Sequence, residues 1–461
     1  MNTGCSLPHL GFTLHSSVIL DFTDYWSDAV QSMLALEDGS VANPTEGRQV
    51  GHYWLRNPGL ASDDQSKEIT DSWTRLEELA NMVASQEHTD LLMVGIGGSA
   101  LGPQFLVDAL PTRGLNVSFI DNTDPAGMDR VLSSLNLNST VVVVLSKSGG
   151  TKETRNAMLE VQHAYRVQDV DFASRAIAVT VQGSKLYTMA TEEAWLGILP
   201  LWNWVGGRTS ITGMVGLLPL ALMRRDWRAF LDGAKQMDDS TRELSLNNPA
   251  LWLAELWWSE GNGRGDRNMV VLPYKDSLGL LGRYLQQLIM ESIGKKEDLD
   301  GNVVHQGLTV YGNKGSTDQH AFVQQLRDGR HDFFALLLGV LQDREGESIE
   351  VEPNVTSGAY LLGFLMGTRE ALLDANRSVM SMIVEKVDER TLGALIALFE
   401  RTVGLYADRA NINAYDQPGV EAGKKAAQKM LDLKQVLESG DQTKADPFNV
   451  WLWNTHKQVN G

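Results

Sequence analysis

Cysteine is almost missing. One residue in 461, Cys5, excludes an internal disulfide and any cysteine-ligated metal cluster. Long apolar runs are missing too. The nearest approach to the roughly 18 residues that a membrane helix needs is 211–223, ITGMVGLLPLALM, which glycine and proline interrupt. Positive charge is scarce: 40 Lys and Arg face 58 Asp and Glu, a formal net charge of -18. That balance argues against nucleic-acid binding, which needs an extended basic surface. A small phosphate stays open to it, because a few cations and N–H groups converging locally are enough. The opening residues, MNTGCSLPHLGF, carry no basic segment ahead of an apolar core, so no signal peptide is expected and the expected location is cytoplasmic. The chain has no His-Glu-x-x-His or similar clustering of His and carboxylates, no repeat of solenoid period and no low-complexity tract.

What the chain does have is a strongly marked stretch at 141–154, VVVVLSKSGGTKET. The first five residues are an unbroken, mostly β-branched run, as in a strand buried on both faces of a parallel sheet. A turn rich in hydroxyls and glycine follows, then a helix-like polar segment. Strand, turn and helix start together make a cradle for an anion: the turn exposes N–H groups, hydroxyls add donors, and the helix end carries partial positive charge. Lys147 supplies a full charge, and phosphate is the natural guest. Serine and glycine after a strand are equally ordinary turn and capping chemistry.

Strands and helices alternate around this stretch. Residues up to about 66 read as irregular, 67–85 as a helix, 91–95 as a strand, 100–110 as a helix, and 116–120 and 176–180 as strands. That alternation predicts an α/β domain with a parallel sheet. After a polar stretch at 238–248 a second such pattern begins, with strands at 269–272, 308–311 and 333–341 and a long helix over 278–290. Apolar residues at helical spacing over 392–406 and an amphipathic segment at 424–437 predict a helical close. A chain of this length leads us to expect two domains.

Other segments offer chemistry. The turn Gly95-Ile96-Gly97-Gly98-Ser99-Ala100 imitates a dinucleotide fingerprint, but Ser99 puts a hydroxyl where two neighbouring turns could converge on one phosphate. Gly206-Gly207 permits close backbone approach, and Arg208 after them is either an oxyanion stabiliser or a solvated turn residue. Glu291, between Met290 and Ile293, is a candidate base if partly desolvated. His320 suits proton shuttling, although a lone histidine is more often structural. Lys424 lies in a Gly- and Pro-containing turn, where position alone proves little.

Taken together, GIGGSALGP (95–103), SKSGGTKET (146–154), VGGRTS (205–210), MESIGK (290–295), GSTDQHAFVQQLRDG (315–329) and YDQPGVEAGK (415–424) closely resemble the phosphoglucose isomerase family. They fall in the family's order across most of the chain. Thr209 in place of the aromatic residue of many members resembles the cyanobacterial and plastid-like branch, and Ser148 in place of threonine keeps the hydroxyl donor. The resemblance implies an α/β fold of two sugar-isomerase-type αβα sandwich domains with mainly parallel sheets. It divides the chain into an irregular or helical segment at 1–66 packing on the large domain, a first domain at 67–235 and a second at 236–461 ending in helices.

The same resemblance implies interconversion of glucose 6-phosphate and fructose 6-phosphate without cofactor or metal. It also implies a homodimer or higher homo-oligomer with shared active sites, and no nucleic-acid or membrane partner. It gives Ser99, Ser146, Lys147, Ser148 and Thr151 to the sugar phosphate, Arg208 to the enediolate and Glu291 to the C1/C2 proton. Ring opening falls to His320 from the partner subunit with Lys424, while Gly98, Gly207, Glu153 and Gln417 are supporting positions. An isomerase of another sugar phosphate, such as mannose 6-phosphate, and a non-catalytic sugar-phosphate sensor are the alternatives. The presence of both Glu291 and His320 counts against the sensor.

Overall fold

Short runs of Val, Ile and Leu form the strands of two large sheets in the computed structural model, which describes residues 3–20, 22, 25–39, 42–419, 426–432, 434 and 446–460. In chain order the strands of these sheets are β1 (Gly4–Leu7), β2 (Phe12–Ser16), β3 (Asp90–Val94), β4 (Asn116–Ile120), β5 (Thr140–Leu145), β6 (Ala176–Thr180), β7 (Gly197–Pro200), β8 (Asn268–Tyr274), β9 (Val310–Tyr311), β10 (Phe333–Val340) and β11 (Val379–Val384). The first sheet runs β4-β3-β5-β6-β7, with every pair parallel. The second runs β1-β2-β11-β10-β8-β9; its β8 to β11 are parallel, and β1 and β2 add an antiparallel edge.

β5 shows why the apolar run becomes a central strand. All six of its residues are buried. Val141, Val143 and Leu145 pack into one apolar cluster, and Val142 and Val144 into another on the opposite face. Covering both faces is what a parallel sheet flanked by crossover helices requires. The first of these clusters also takes in Val271 and Leu336 of the second sheet.

Residues Met1–Tyr415 form one compact unit, which holds both sheets, and Asp416–Gly461 form a second. The expected boundary at 235/236 falls inside the helix Trp227–Ser240. Within the C-terminal unit the structure describes the helix Pro447–Asn460. Most of the closing helix expected over 424–437 lies outside the described residues, although 426–432 are helical.

Two expectations need correction. The first 66 residues are more than an irregular or helical segment, because β1 and β2 form a hairpin that pairs with β11 and extends the second sheet. In β2, Phe12, Leu14 and Ser16 are buried and Thr13 and His15 exposed, an alternation that polar residues disguise. The helix expected over 278–290 is instead a 3₁₀ turn Asp276–Leu278, an α-turn Leu281–Leu285, a π-helix Gln286–Met290 and a last α-turn Glu291–Ile293. The wider π turn re-phases the residue that follows it, which is Glu291. The apolar segment 211–223 contains the buried helix Met214–Leu222. Among the described residues no helix is long and apolar enough to cross a membrane.

Candidate active site

The carboxyl ends of β3 and β5 lie side by side, with Val94 paired to Val144. Two turns therefore leave the sheet next to each other. β3 connects to β4 on one side and β5 lies on the other, so the crevice between them is where an open parallel sheet takes its ligands.

The first turn depends on glycine at two points. Gly97 has φ +59°, which favours a residue without Cβ. A Cβ on Gly98 would lie 2.1 Å from the Gly207 carbonyl oxygen, so only glycine lets the Ser99 turn touch the Gly207–Thr209 turn. This contact brings Ser99 and Arg208 into one region although 109 positions separate them in the sequence (208 − 99).

The second turn builds itself from its own hydroxyls. Ser146 Oγ accepts the Gly149 N–H at 3.1 Å, and Ser148 Oγ accepts the Gly150 N–H at 3.1 Å. Gly149 adopts φ +66°, and a Cβ there would lie 2.3 Å from the Leu186 nitrogen. Thr151 is the N-cap of the helix Lys152–Val167, but its side chain makes no capping bond. The first-turn N–H groups of that helix thus have no side-chain cap from Thr151, as an anion-binding start requires. Glu153 lies in the same first turn.

Lys147 is placed differently from a lysine reaching freely into a cradle. Its Nζ donates to the carbonyls of Asn203 and Val205, each at 3.0 Å. Burial pushes its pKa down to about 8; Arg48 pushes the same way and Glu46 opposes. Arg48 donates to the same two carbonyls and lines a small pocket with Asn43, Gly206, Arg208 and Thr209. Sequence reasoning missed Arg48. It lies in a two-residue strand within a segment that reads as irregular, and only the fold brings it to a loop 155 residues on.

Arg208 is 5% exposed and held from several directions. Its Nε donates to Ser292 Oγ at 2.7 Å, its Nη2 donates to the Ala414 carbonyl, and its Nη1 lies 3.4 Å from Glu291 Oε1. Ser292, adjacent to Glu291 in the chain, is a second residue that sequence reasoning passed over. Lys295 Nζ donates to the Glu291 carbonyl at 3.1 Å, tying down the turn after the carboxylate. The buried guanidinium is a fixed positive charge beside a carboxylate that keeps access to solvent.

More buried charge lies near this pair. Arg56 pairs with Asp238 and Glu400, and Arg401 with Glu37. The Tyr53 ring stands 4.9 Å from the Arg56 guanidinium and 5.2 Å from that of Arg401. Burial raises the Glu400 pKa to about 7, against the pull of Arg56. His52 is held neutral by burial first, and then by the positive charges of Arg56, Arg401 and Arg208.

Of three further expected residues, the structure describes His320 and Gln417. His320 is exposed in the 3₁₀ turn Asp318–His320, and among the described residues no hydrogen bond or ion pair joins it to Arg208 or Glu291. Gln417 belongs to the C-terminal unit. Lys424 lies outside the described residues. Among the described residues no group of three or more His, Cys, Asp or Glu side chains is arranged to hold a metal.

The sequence profile of the family described as phosphoglucose isomerase matches residues 27–360 and 369–447. A glucose-6-phosphate isomerase of Nostoc sp. strain PCC 7120 is 56% identical over 420 residues, 88% of this chain and 80% of the relative. One from Geobacter sp. strain M21 is 55% identical over 425 residues, 89% of this chain and 80% of the relative. The crystal structure of a glucose-6-phosphate isomerase from Chlamydia trachomatis superposes with a TM-score of 0.86 at 24% identity, covering 99% of this chain and 93% of the other. That likeness is one of fold.

Proposed function

The chain belongs to the phosphoglucose isomerase family, and from that premise we propose that it interconverts glucose 6-phosphate and fructose 6-phosphate in the crevice between β3 and β5. The observation that carries the assignment of roles is the Arg208–Glu291 pair, held beside two hydroxyl-bearing turns. The phosphate sits on Ser99, Ser146, Ser148 and Thr151 with the start of the helix Lys152–Val167, and Lys147 contributes charge from the wall. Gly98, having no Cβ, keeps the two turns in contact against the Gly207 carbonyl.

Opening the sugar ring breaks the C1–O5 bond, with a proton added to O5 and one removed from O1. His320 gives O5 its proton and recovers the one leaving O1, assisted by Lys424, which Glu153 orients, with Gln417 nearby. Glu291 then takes the proton from C2, leaving an enediolate whose charge Arg208 offsets. The same carboxyl returns the proton to C1, while the hydroxyl proton passes from O2 to O1. Atoms and charge balance without a redox partner.

The exposure of His320 supports a homodimer in which each subunit lends this histidine to the other's crevice. The two sheets support two sugar-isomerase layers, one built on β3 to β7 and the other on β1, β2 and β8 to β11. A single cysteine and a sugar-phosphate substrate favour the cytoplasm. The test is a coupled assay with purified protein and fructose 6-phosphate, with no added metal or nicotinamide on the isomerase side. Formation of glucose 6-phosphate is expected; no turnover would overturn the proposal.

A further inference from the structure

The two sheets reverse their strand order at equivalent places. In the second sheet β8 connects to β9 on one side, and β10 lies on the other, as β3 connects to β4 with β5 beyond it. By the same rule, the carboxyl ends of β8 and β10 open a second ligand crevice. A cavity of about 180 Å³ occupies it, lined in part by Tyr274, Lys275, Gly339, Arg344, Leu361 and Leu365. Nothing in the proposed isomerase chemistry uses it.

Its walls suit an anion with a carbon body. Lys275 follows β8 directly, and its Nζ donates to the carbonyls of Gln342 at 2.8 Å and Asp343 at 2.6 Å. An ammonium has three protons, so one remains for a ligand. Lys147 is held in the same manner in the first crevice, by the carbonyls of Asn203 and Val205. Arg344 makes no ion pair among the described residues and is exposed at the cavity's rim. Burial lowers the Lys275 pKa, Asp343 and Asp276 raise it, and Arg344 lowers it, so the two cations lie close enough to repel each other. The Asp343 carboxylate, in the same wall, offsets part of that repulsion, and an anion between the two cations would offset more of it. The start of the helix Ser357–Asp374 plays no part, because a Cβ on Gly358 would lie 1.9 Å from Asp343 Cγ and the Asp343 carboxylate already fills that position.

We propose that this cavity is a second ligand site, binding a small organic anion with its phosphate or carboxylate between Lys275 and Arg344 and its carbon body against Leu361 and Leu365. The site adjoins the turn that carries His320. The Tyr274 hydroxyl donates to Thr368 Oγ1 at 2.7 Å, and Gln319 Nε2 donates to the Tyr274 hydroxyl at 3.3 Å. A ligand against Tyr274 is therefore one side chain away from the neighbour of His320.

Equilibrium dialysis of the full chain against radiolabelled glycerol 3-phosphate counts the sites. Wild type should hold two molecules per chain, one in each crevice, and Arg344→Glu should hold one. KM for fructose 6-phosphate should be unchanged in that variant, since Arg344 is no part of the first crevice. In Lys147→Ala/Ser148→Ala, whose first crevice is disabled, one molecule should remain, and adding Arg344→Glu should weaken it about tenfold or more, the effect of losing a charge-assisted contact. Tighter binding of glycerol 3-phosphate than of radiolabelled glycerate in the disabled background assigns a phosphate head, and the reverse a carboxylate. No molecule held by the Lys147→Ala/Ser148→Ala chain, or one there indifferent to Arg344→Glu, overturns the proposal. The count is independent of turnover, so failure of the isomerase reading would show in the coupled assay and leave this result standing.

Discussion

Glu291 Oε1 lies 3.4 Å from Arg208 Nη1, yet the two side chains are unequally exposed, the arginine's at 3% and the glutamate's at 22%. The arginine is fixed by Ser292 and the Ala414 carbonyl. The glutamate is free to meet a substrate. A base that must take and return a proton needs that freedom, while a cation that offsets a developing charge works best when it is already in place.

Replacing Glu291, the proposed base, separates chemistry from binding. Glu291→Gln keeps the side chain's size but cannot accept a proton at physiological pH. Turnover should vanish, and so should exchange of the substrate's C2 hydrogen with deuterated water, followed by NMR. Exchange that persists without turnover would move the base elsewhere.

Replacing the cation tests whether geometry matters beyond charge. Arg208→Lys keeps one positive charge but cannot serve Ser292, Ala414 and Glu291 at once, since a guanidinium is a planar fork and an ammonium a point charge. A loss of about 10²–10³ in kcat is expected, the usual cost of removing one oxyanion donor. KM should change much less. Steady-state kinetics checks this, and an equal effect on both constants would argue for a role in substrate binding.

The contact between the two turns predicts a contrast between neighbouring glycines. A Cβ on Gly98 meets backbone at 2.1 Å, whereas one on Gly207 meets nothing within 4 Å. Gly98→Ala should therefore lower stability by about 1–3 kcal/mol and abolish turnover by parting Ser99 from Arg208. Gly207→Ala should leave the melting temperature close to wild type. Equal melting temperatures for the two variants would sink the account of the turn contact.

Lys147 gives the site a pH dependence whose sign can be worked out. Its pKa is lowered to about 8, chiefly by burial. Below that value the side chain is a cation and attracts the phosphate; as pH rises through it, the charge and the attraction are lost. KM for fructose 6-phosphate should thus climb above about pH 8. Lys147→Arg stays charged over this range and should flatten the rise. A wild-type KM that is level from pH 7 to 9.5 would contradict the assignment.

Much of this site could be read from the sequence because its parts are local. The β-branched run of β5, the turn of Ser146 to Thr151 and the helix after it are contiguous, so periodicity and turn chemistry mark them together. Arg48 was not legible: its role depends on the carbonyls of Asn203 and Val205, which only the folded chain brings to it. Nor was the π-helix before Glu291, since Leu288 and Ile289 keep an apolar pattern that an α-helix would satisfy equally well. The edge hairpin escaped notice because Thr13, His15 and Ser16 dilute its alternation. What the sequence hides is long-range pairing, and that decides which charges meet.

The proposed sharing of His320 between subunits is open to a test by complementation. Glu291→Gln and His320→Ala should each be inactive or nearly so as homodimers on cyclic substrate. In a heterodimer of the two, each crevice draws Glu291 from its own chain and His320 from the other. One crevice then carries both lesions, and the other carries neither. By the two-fold symmetry of such a dimer, the isolated heterodimer should recover up to about half of wild-type activity. If His320 served its own chain instead, each crevice would carry one lesion and no recovery would follow. Differently tagged chains, co-expressed and purified through both tags, give the heterodimer free of either parent. Recovery near half, lost again when both substitutions are put on the same chain and paired with a chain carrying Glu291→Gln, would assign the histidine to the neighbouring subunit. Absence of recovery in a properly assembled heterodimer would return it to its own.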